Sequence, residues 1–327
     1  MDELTSIPLV SVIVPVYNSS AFVVRCATSL FSQTLKDIEF IFVDDASTDD
    51  SVSLIRSAID KFPGVRSKVR IICESQNHGQ AAGFKKALEL SRGEYIIKCD
   101  SDDEVEPTMY EEMYSCAKES NHDVVICDIK FIYPQGNTNR FWGRIEGFDD
   151  IESILGNRIP TSLCNRLVKR ELFFTDGFKY PECNMCEDFV YSIQLAYLSR
   201  STGYLKQQFY WYYRHPASFT WNGSLEAVLS KHEQIVRNVS LGLAFLEEKG
   251  LSHRYKGDII RQCLFVKNGL KNHLDKEGIY SQWKNTFKDV NPRILFCNKI
   301  PIKERMIFLM IYCHVYGTYK AIKRRIR

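Results

Sequence analysis

The chain has 327 residues, 45% hydrophobic and 25% charged, which suits one large globular domain or two modest ones and excludes a disordered or fibrous chain. The net charge of +3 is unevenly divided: residues 301–327 carry seven Lys and Arg against one Glu, leaving −3 on the rest. Eleven cysteines scattered from Cys26 to Cys313 fit reduced thiols in a cytosolic protein, and the pair Cys183 and Cys186 lacks two further ligands at the spacing a structural zinc site needs. The start "MDELTSIPLV" is acidic and runs directly into a strand pattern, so no leader is expected.

Residues 9–16, "LVSVIVPV", predict a buried strand, followed by a helix pattern over 21–33. A second strand is expected at 38–45 and a second helix at 49–62; the unit repeats at 69–75 and 79–91. Strands at 94–100 and 122–128 bring the number to five. Alternation of apolar strands with amphipathic helices predicts an α/β fold with a mainly parallel sheet flanked by helices. Ligands in such sheets bind at the carboxyl ends of the strands. Those ends here read "PVYN", "VDDASTDD", "ESQNHG" and "CDSDD", all polar and all converging on one edge. From about residue 222 the spacing becomes helical, which places a catalytic domain at 1–221 and a smaller helical domain at 222–327.

The first strand end contains no glycine, which argues against a nicotinamide-binding Rossmann enzyme and against a nucleotidyltransferase with a glycine-rich basic loop. Pro15, Val16 and Tyr17 offer backbone polar groups and an aromatic face for a planar base, although packing is the simpler role for Tyr17. At the second strand end, Thr48 and Asp49 are read as helix caps, leaving one of Asp44 and Asp45 to face the cleft. At the fourth, Asp100, Asp102 and Asp103 crowd like charges together. That arrangement is tolerable in water or around a hard divalent cation such as Mn²⁺ or Mg²⁺, which takes oxygen ligands and keeps positions open for a diphosphate.

Taken together and in order, "VSVIVPVYNSSAFVVRCATSLFSQTLKDIEFIFVDDASTDDS", "NHGQAAG", "GEYIIKCDSDDEVEP", "NRLVKREL" and "MCEDFVYS" resemble the family 2 nucleotide-sugar glycosyltransferases of GT-A (Rossmann-like) fold over residues 9–221. The resemblance implies inverting transfer of a sugar from a UDP-sugar to an acceptor hydroxyl. It implies that Pro15 and Tyr17 contact uracil and ribose, that Asp45 binds the uracil N3–H, and that Asp100 and Asp102 form the Asp-x-Asp metal motif with Asp102 the direct ligand. Asp103 orients sugar hydroxyls or is solvated. The motif "CEDF" puts the general base on Asp188, with Glu187 its neighbouring rival and helix capping a second role. In "WYYRHPASFTW" (211–221), Arg214 is a candidate diphosphate ligand and His215 an additional metal ligand, set against a surface aromatic strand.

Two departures stand out. Relatives often carry an Arg-Asn pair where this chain has Phe84 and Lys85, so the cation near the diphosphate must come from Lys85, Lys86 or elsewhere. Cys164 stands where a tryptophan is common. The tail pairs about eleven mostly apolar residues with Lys320, Lys323, Arg324, Arg325 and Arg327, which fits an interfacial helix on an anionic membrane and is too short to span one. No interleaved readout motif suggests a nucleic acid.

The expected protein is a hexosyl- or N-acetylhexosaminyltransferase. It acts on a glycan or lipid-linked saccharide acceptor in bacterial cell-surface polysaccharide assembly, in the cytoplasm or peripherally on the inner face of the membrane. The alternatives are a donor-binding relative without turnover and a metal-dependent nucleotidyl- or phosphotransferase.

Overall fold

The computed structural model describes residues 7–141, 143–144, 149–215 and 224–317. The anticipated alternation is present as β1 (Val10–Val16), α1 (Val23–Phe31), β2 (Ile38–Asp44), α2 (Ser51–Lys61), β3 (Val69–Cys73), α3 (Gln80–Leu90) and β4 (Tyr95–Lys98). Next come β5 (Glu104–Val105), α4 (Met109–Glu119), β6 (Val124–Ile132), β7 (Thr138–Phe141), α5 (Asp150–Leu155), β8 (Arg166–Lys169), α6 (Glu187–Leu198) and β9 (Thr202–Tyr213). Helices α7 (Leu225–Glu248), α8 (Lys256–Asn268), α9 (Ile279–Asn285), α10 (Asn291–Ile294) and α11 (Ile302–Tyr312) follow.

The strands form one sheet in the order β3-β2-β1-β4-β8-β6-β9-β5, with β7 paired to β6. Strands β1 to β4 pair parallel to one another. Antiparallel β8 is inserted between β4 and β6, so β6 recovers the direction of β4 and pairs parallel with β9. The parallel half is thus joined to a mixed half.

Alternation along the buried strands gives the sheet two cores. Val10, Val12, Val14 and Val16 of β1 join Phe40 and Phe42 on one face, with α1 and α4. Ile13, Ile41 and Val43 point to the other, where Phe84 of α3 and Tyr191 of α6 cover them. A strand buried on both faces has to be apolar throughout, which is why β1 and β2 read as continuous apolar runs. Register then aligns the carboxyl ends: Val16 lies opposite Asp44, and Asp44 opposite Cys73.

Helix α6 carries the sheet's cover into the helical region. Its Phe189 and Ile193 pack with Ile154 and Leu155 of α5 and with Val239 and Phe245 of α7 in one shared cluster. The α6–α7 approach is close enough to require Gly242, because a Cβ there would stand 2.7 Å from the Phe189 ring. A second cluster surrounds the fully buried Trp283. Helix α11 docks through Phe308 and Ile311 and leaves Ile302 and Met306 exposed. Among the described residues no helix is long and apolar enough to cross a membrane. The basic cluster from Lys320 to Arg327 lies outside the described residues.

Candidate active site

Strand β4 ends at Lys98, two residues before the predicted end, because the backbone then turns to present its acids. Cys99 N–H still donates to Ile13 O (2.9 Å), but Asp100 N–H donates to the Tyr210 hydroxyl of β9 (3.1 Å) and Asp103 N–H turns back to Asp100 O (3.2 Å). The three aspartates therefore part company, and each finds a different partner.

Asp103 turns inward. It is wholly buried, accepting from Tyr210 OH at 2.6 Å and from Tyr213 N–H at 2.8 Å. Burial, then the Asp102 and Asp100 charges, push its carboxyl well above the usual range. This corrects both expectations for Asp103: it is neither solvated nor open to a sugar, and it anchors the acidic turn to β9. Asp100 uses Oδ1 on Lys98 Nζ (3.1 Å) and accepts from the Cys164 thiol on Oδ2 (3.5 Å). Asp100 remains 28% exposed at the turn. Cys164 is buried, with its thiol directed at Asp100.

Asp102 remains partly open and meets His215 Nε2 at 2.9 Å. Phe22 stacks on the imidazole with centroids 4.2 Å apart, and His215 Nδ1 is buried with no partner. Burial and the neighbouring Asp100 charge raise the Asp102 carboxyl, and His215 opposes the shift. Arg25 donates to the Asp102 carbonyl, pairs with Glu104 at 3.2 Å and lies over the Tyr213 ring at 3.6 Å, holding the turn from behind. An oxygen and a nitrogen side by side suit a divalent cation whose other ligands come from a diphosphate and water. Among the described residues no cluster of three His, Cys, Asp or Glu could hold an ion alone.

The second strand end is built from loops that hold each other. Asp45 is buried and accepts from His78 N–H and Gly79 N–H, both at 2.7 Å. Gly79 has φ +90°, and a Cβ there would run into the Asn184 side chain, whose Oδ1 accepts from Ala81 N–H at the start of α3. Asp49 accepts from Ser51 N–H (3.0 Å) and Ser20 N–H (2.9 Å), so it starts α2 and ties the two loops together. Tyr17 is half exposed at this edge and Pro15 is partly buried. Val16 departs from its expected role: its side chain is core, and its carbonyl accepts Asp45 N–H at 2.9 Å.

Helix α6 begins with the acidic pair. Cys186 before it adopts a left-handed φ of 66°, which sets both carboxylates at the first turn, where the helix dipole favours negative charge. Glu187 is held by Gln80 Nε2 of α3 at 2.7 Å and approached by Lys98 at 3.5 Å. Asp188 is 20% exposed, its Oδ1 has no hydrogen-bond partner, and Lys98 stands 3.9 Å away. Burial pushes both carboxyls up, Glu187 to about 7, with Lys98 opposing.

Lys98 escaped the sequence reading, although an ionisable residue inside the apolar run "YIIKCD" was the available signal. The cations that were expected are elsewhere. Phe84 is core, Lys86 pairs with Glu74, and Lys85 lies over the Tyr180 ring at 5.1 Å. Arg214 is exposed, and its guanidinium lies over Phe131 and Tyr133 of the β6–β7 hairpin, 5.2 and 5.5 Å from their centroids. Residues 216–221 of the expected phosphate-covering segment lie outside the described residues.

A parallel half-sheet with an acidic turn at the end of β4 and a carboxylate at the start of α6 defines a GT-A glycosyltransferase fold. S. aureus TarS 1-349, solved in complex with UDP-GlcNAc, superposes with a TM-score of 0.58 at 16% identity, covering 97% of this chain and 91% of that one. The Glycosyl transferase family 2 model matches residues 11–178, just over half of the sequence, and the chain belongs to that family. Among curated relatives, the glycosyltransferase YibD of Escherichia coli K12 is 28% identical over 220 residues, 64% of this chain and 62% of that protein. The poly(ribitol-phosphate) beta-glucosyltransferase of Bacillus spizizenii is 28% identical over 207 residues, 62% of this chain and 32% of that protein. The chain thus spans less than two thirds of the length of both relatives.

Proposed function

We propose that this protein transfers a hexose or N-acetylhexosamine from a UDP-sugar to a hydroxyl of a cell-surface glycan or its lipid-linked precursor, with inversion at the anomeric carbon. The observation that carries the reading is the Asp188 carboxylate: 20% exposed, with its buried Oδ1 3.9 Å from Lys98 Nζ, and so joined through one buried ammonium to the acidic turn of β4. Glu187, its rival as base, already accepts from Gln80, which favours Asp188 for the reaction.

In this reading Asp188 takes the acceptor hydroxyl's proton as that oxygen bonds to the anomeric carbon and the sugar–diphosphate bond breaks, with the electron pair leaving on UDP. Tyr17 and Pro15 offer a face for the uracil, and Asp45 keeps lone pairs beyond the two that hold the 78–79 loop. Asp102 and His215 would hold Mn²⁺ or Mg²⁺, which would supply positive charge to the departing diphosphate. The polyol-phosphate substrate in the B. spizizenii relative's name supports a surface-glycan acceptor. Exposed Phe296, Ile302 and Met306 around α11 support the tail's membrane role.

The test is release of UDP from a panel of UDP-hexoses and UDP-N-acetylhexosamines, with a GDP-sugar as control, followed by assignment of the product anomer. Turnover of a UDP-sugar with inversion is expected; turnover of the GDP-sugar alone, or a retained anomer, contradicts the reading.

A further inference from the structure

Lys98 is 3% exposed and sits at the end of β4 with its ammonium 3.1 Å from Asp100, 3.5 Å from Glu187 and 3.9 Å from Asp188. A lone buried ammonium is among the costliest groups a core can hold, and it persists only where carboxylates compensate it. Here the compensation is threefold and comes from two elements, the β4 turn and the first turn of α6.

We infer that Lys98 is a positioning residue that fixes Asp188 against the acidic turn, so that the proton-accepting end and the donor-binding end of the cleft are held in one geometry by a single cation. The inference rests on the role proposed for Asp188 and extends it to a residue outside the motifs.

Two observations support it. First, register places Lys98 opposite Ile13, on the same face of β4 as Ile96, whose cluster includes Phe84 and Tyr191. On that face α3 contributes the Phe84 ring, 5.3 Å from Tyr191, and the neutral Gln80 to Glu187, while the ammonium comes from the strand. Second, the other buried cation nearby is committed. Arg166 of β8 donates to the Pro160 carbonyl at 2.8 Å, to the Ser162 carbonyl and to Asn165 Oδ1 at 3.2 Å.

The groups facing Asp188 are then Lys98 and Asp100 from β4 and its turn, Arg166 from β8, and Glu187 beside it on α6. Removing the ammonium leaves Glu187 and Asp188 as adjacent like charges with less compensation, each favouring its protonated form. Removing the Glu187 charge does the opposite for Asp188.

The test uses the full chain with Lys98→Met, Glu187→Gln and the double variant, read by melting temperature against pH and by the pH profile of UDP-sugar turnover. The amide oxygen in Glu187→Gln can still accept from Gln80, so the α3 contact survives. For Lys98→Met, kcat falls at least about tenfold and the acid limb of the profile moves to higher pH. Its melting temperature, relative to wild type, drops by a further ~4 °C or more between pH 5 and pH 8. Raised folded-state carboxyl pKa values make stability decline as pH rises through them. Glu187→Gln moves the limb to lower pH, and the double variant lies between.

A folded Lys98→Met with wild-type kcat, limb and pH-independent melting offset overturns the inference. If Lys98→Met does not fold at pH 5, an unmoved limb in Glu187→Gln overturns it. Absence of wild-type turnover sinks the proposed function separately; the widening melting offset still decides whether Lys98 compensates these carboxylates, since it needs no substrate.

Discussion

His215 Nε2 lies 2.9 Å from Asp102 Oδ2, so a residue beyond the last strand of the sheet closes on the acidic turn that follows the fourth. The contact joins positions 113 residues apart in the chain.

If this pair holds a divalent cation together with the donor diphosphate, His215→Ala should weaken Mn²⁺-supported UDP binding by about 10–100-fold. UDP binding without metal should change far less. Titration calorimetry at fixed Mn²⁺ checks both, and equal losses with and without metal would assign His215 to packing against Phe22.

Asp188→Asn should lower kcat by about 10²–10⁴-fold while leaving UDP affinity near wild type, because only the proton acceptor is lost. The base must be ionised to act, and burial raises its carboxyl above the ordinary Asp range. Wild-type kcat should therefore fall with decreasing pH through a value above that of an exposed aspartate. An acid limb at or below the ordinary range would contradict the assignment.

Tyr210→Phe removes the hydroxyl that donates to Asp103 and accepts from Asp100 N–H. With Asp103 fully buried, the unmet oxygen should cost about 1–3 kcal/mol of stability. The acidic turn should loosen with it, so UDP affinity should fall alongside the melting temperature. Loss of stability with unchanged UDP affinity would show that β9 does not set the turn.

Lys267 is fully buried and donates to the carbonyls of Trp283 and Thr286, both at 2.6 Å, capping the end of α9. Burial depresses its amine to about 8 from the ordinary 10.5. A depressed amine means the unfolded chain holds the proton more tightly, so the cost of the buried charge is full below pH 8 and disappears as pH rises to 10.5. Urea unfolding should show the stability of wild type rising relative to Lys267→Met across that window, by roughly 3 kcal/mol at most. A constant difference would contradict the shift.

Much of this was legible in the sequence wherever a signal was local. The apolar runs of β1 and β2 marked strands buried on both faces, and Asp49 announced the start of α2. Strand β8 is only "RLVK", too short for a period to show, so its antiparallel insertion between β4 and β6 was invisible. The acidic turn was found, but sorting its members needed distant partners. Asp103 faces inward because Tyr210 and Tyr213 lie beneath it, Asp100 turns to Lys98, and Asp102 turns to His215. The stacking surface of Arg214 was hidden in the same way, since Phe131 and Tyr133 belong to a distant stretch of the chain.

The central claim is that the acidic turn receives a metal–diphosphate unit through Asp102. The most direct measurement is calorimetric titration of the full chain with UDP, with and without Mn²⁺, for wild type and Asp102→Ala. The account predicts UDP binding that Mn²⁺ strengthens in the wild type and does not strengthen in Asp102→Ala. Mn²⁺-enhanced binding that survives unchanged in the variant, or no UDP binding by the wild type under either condition, would contradict it.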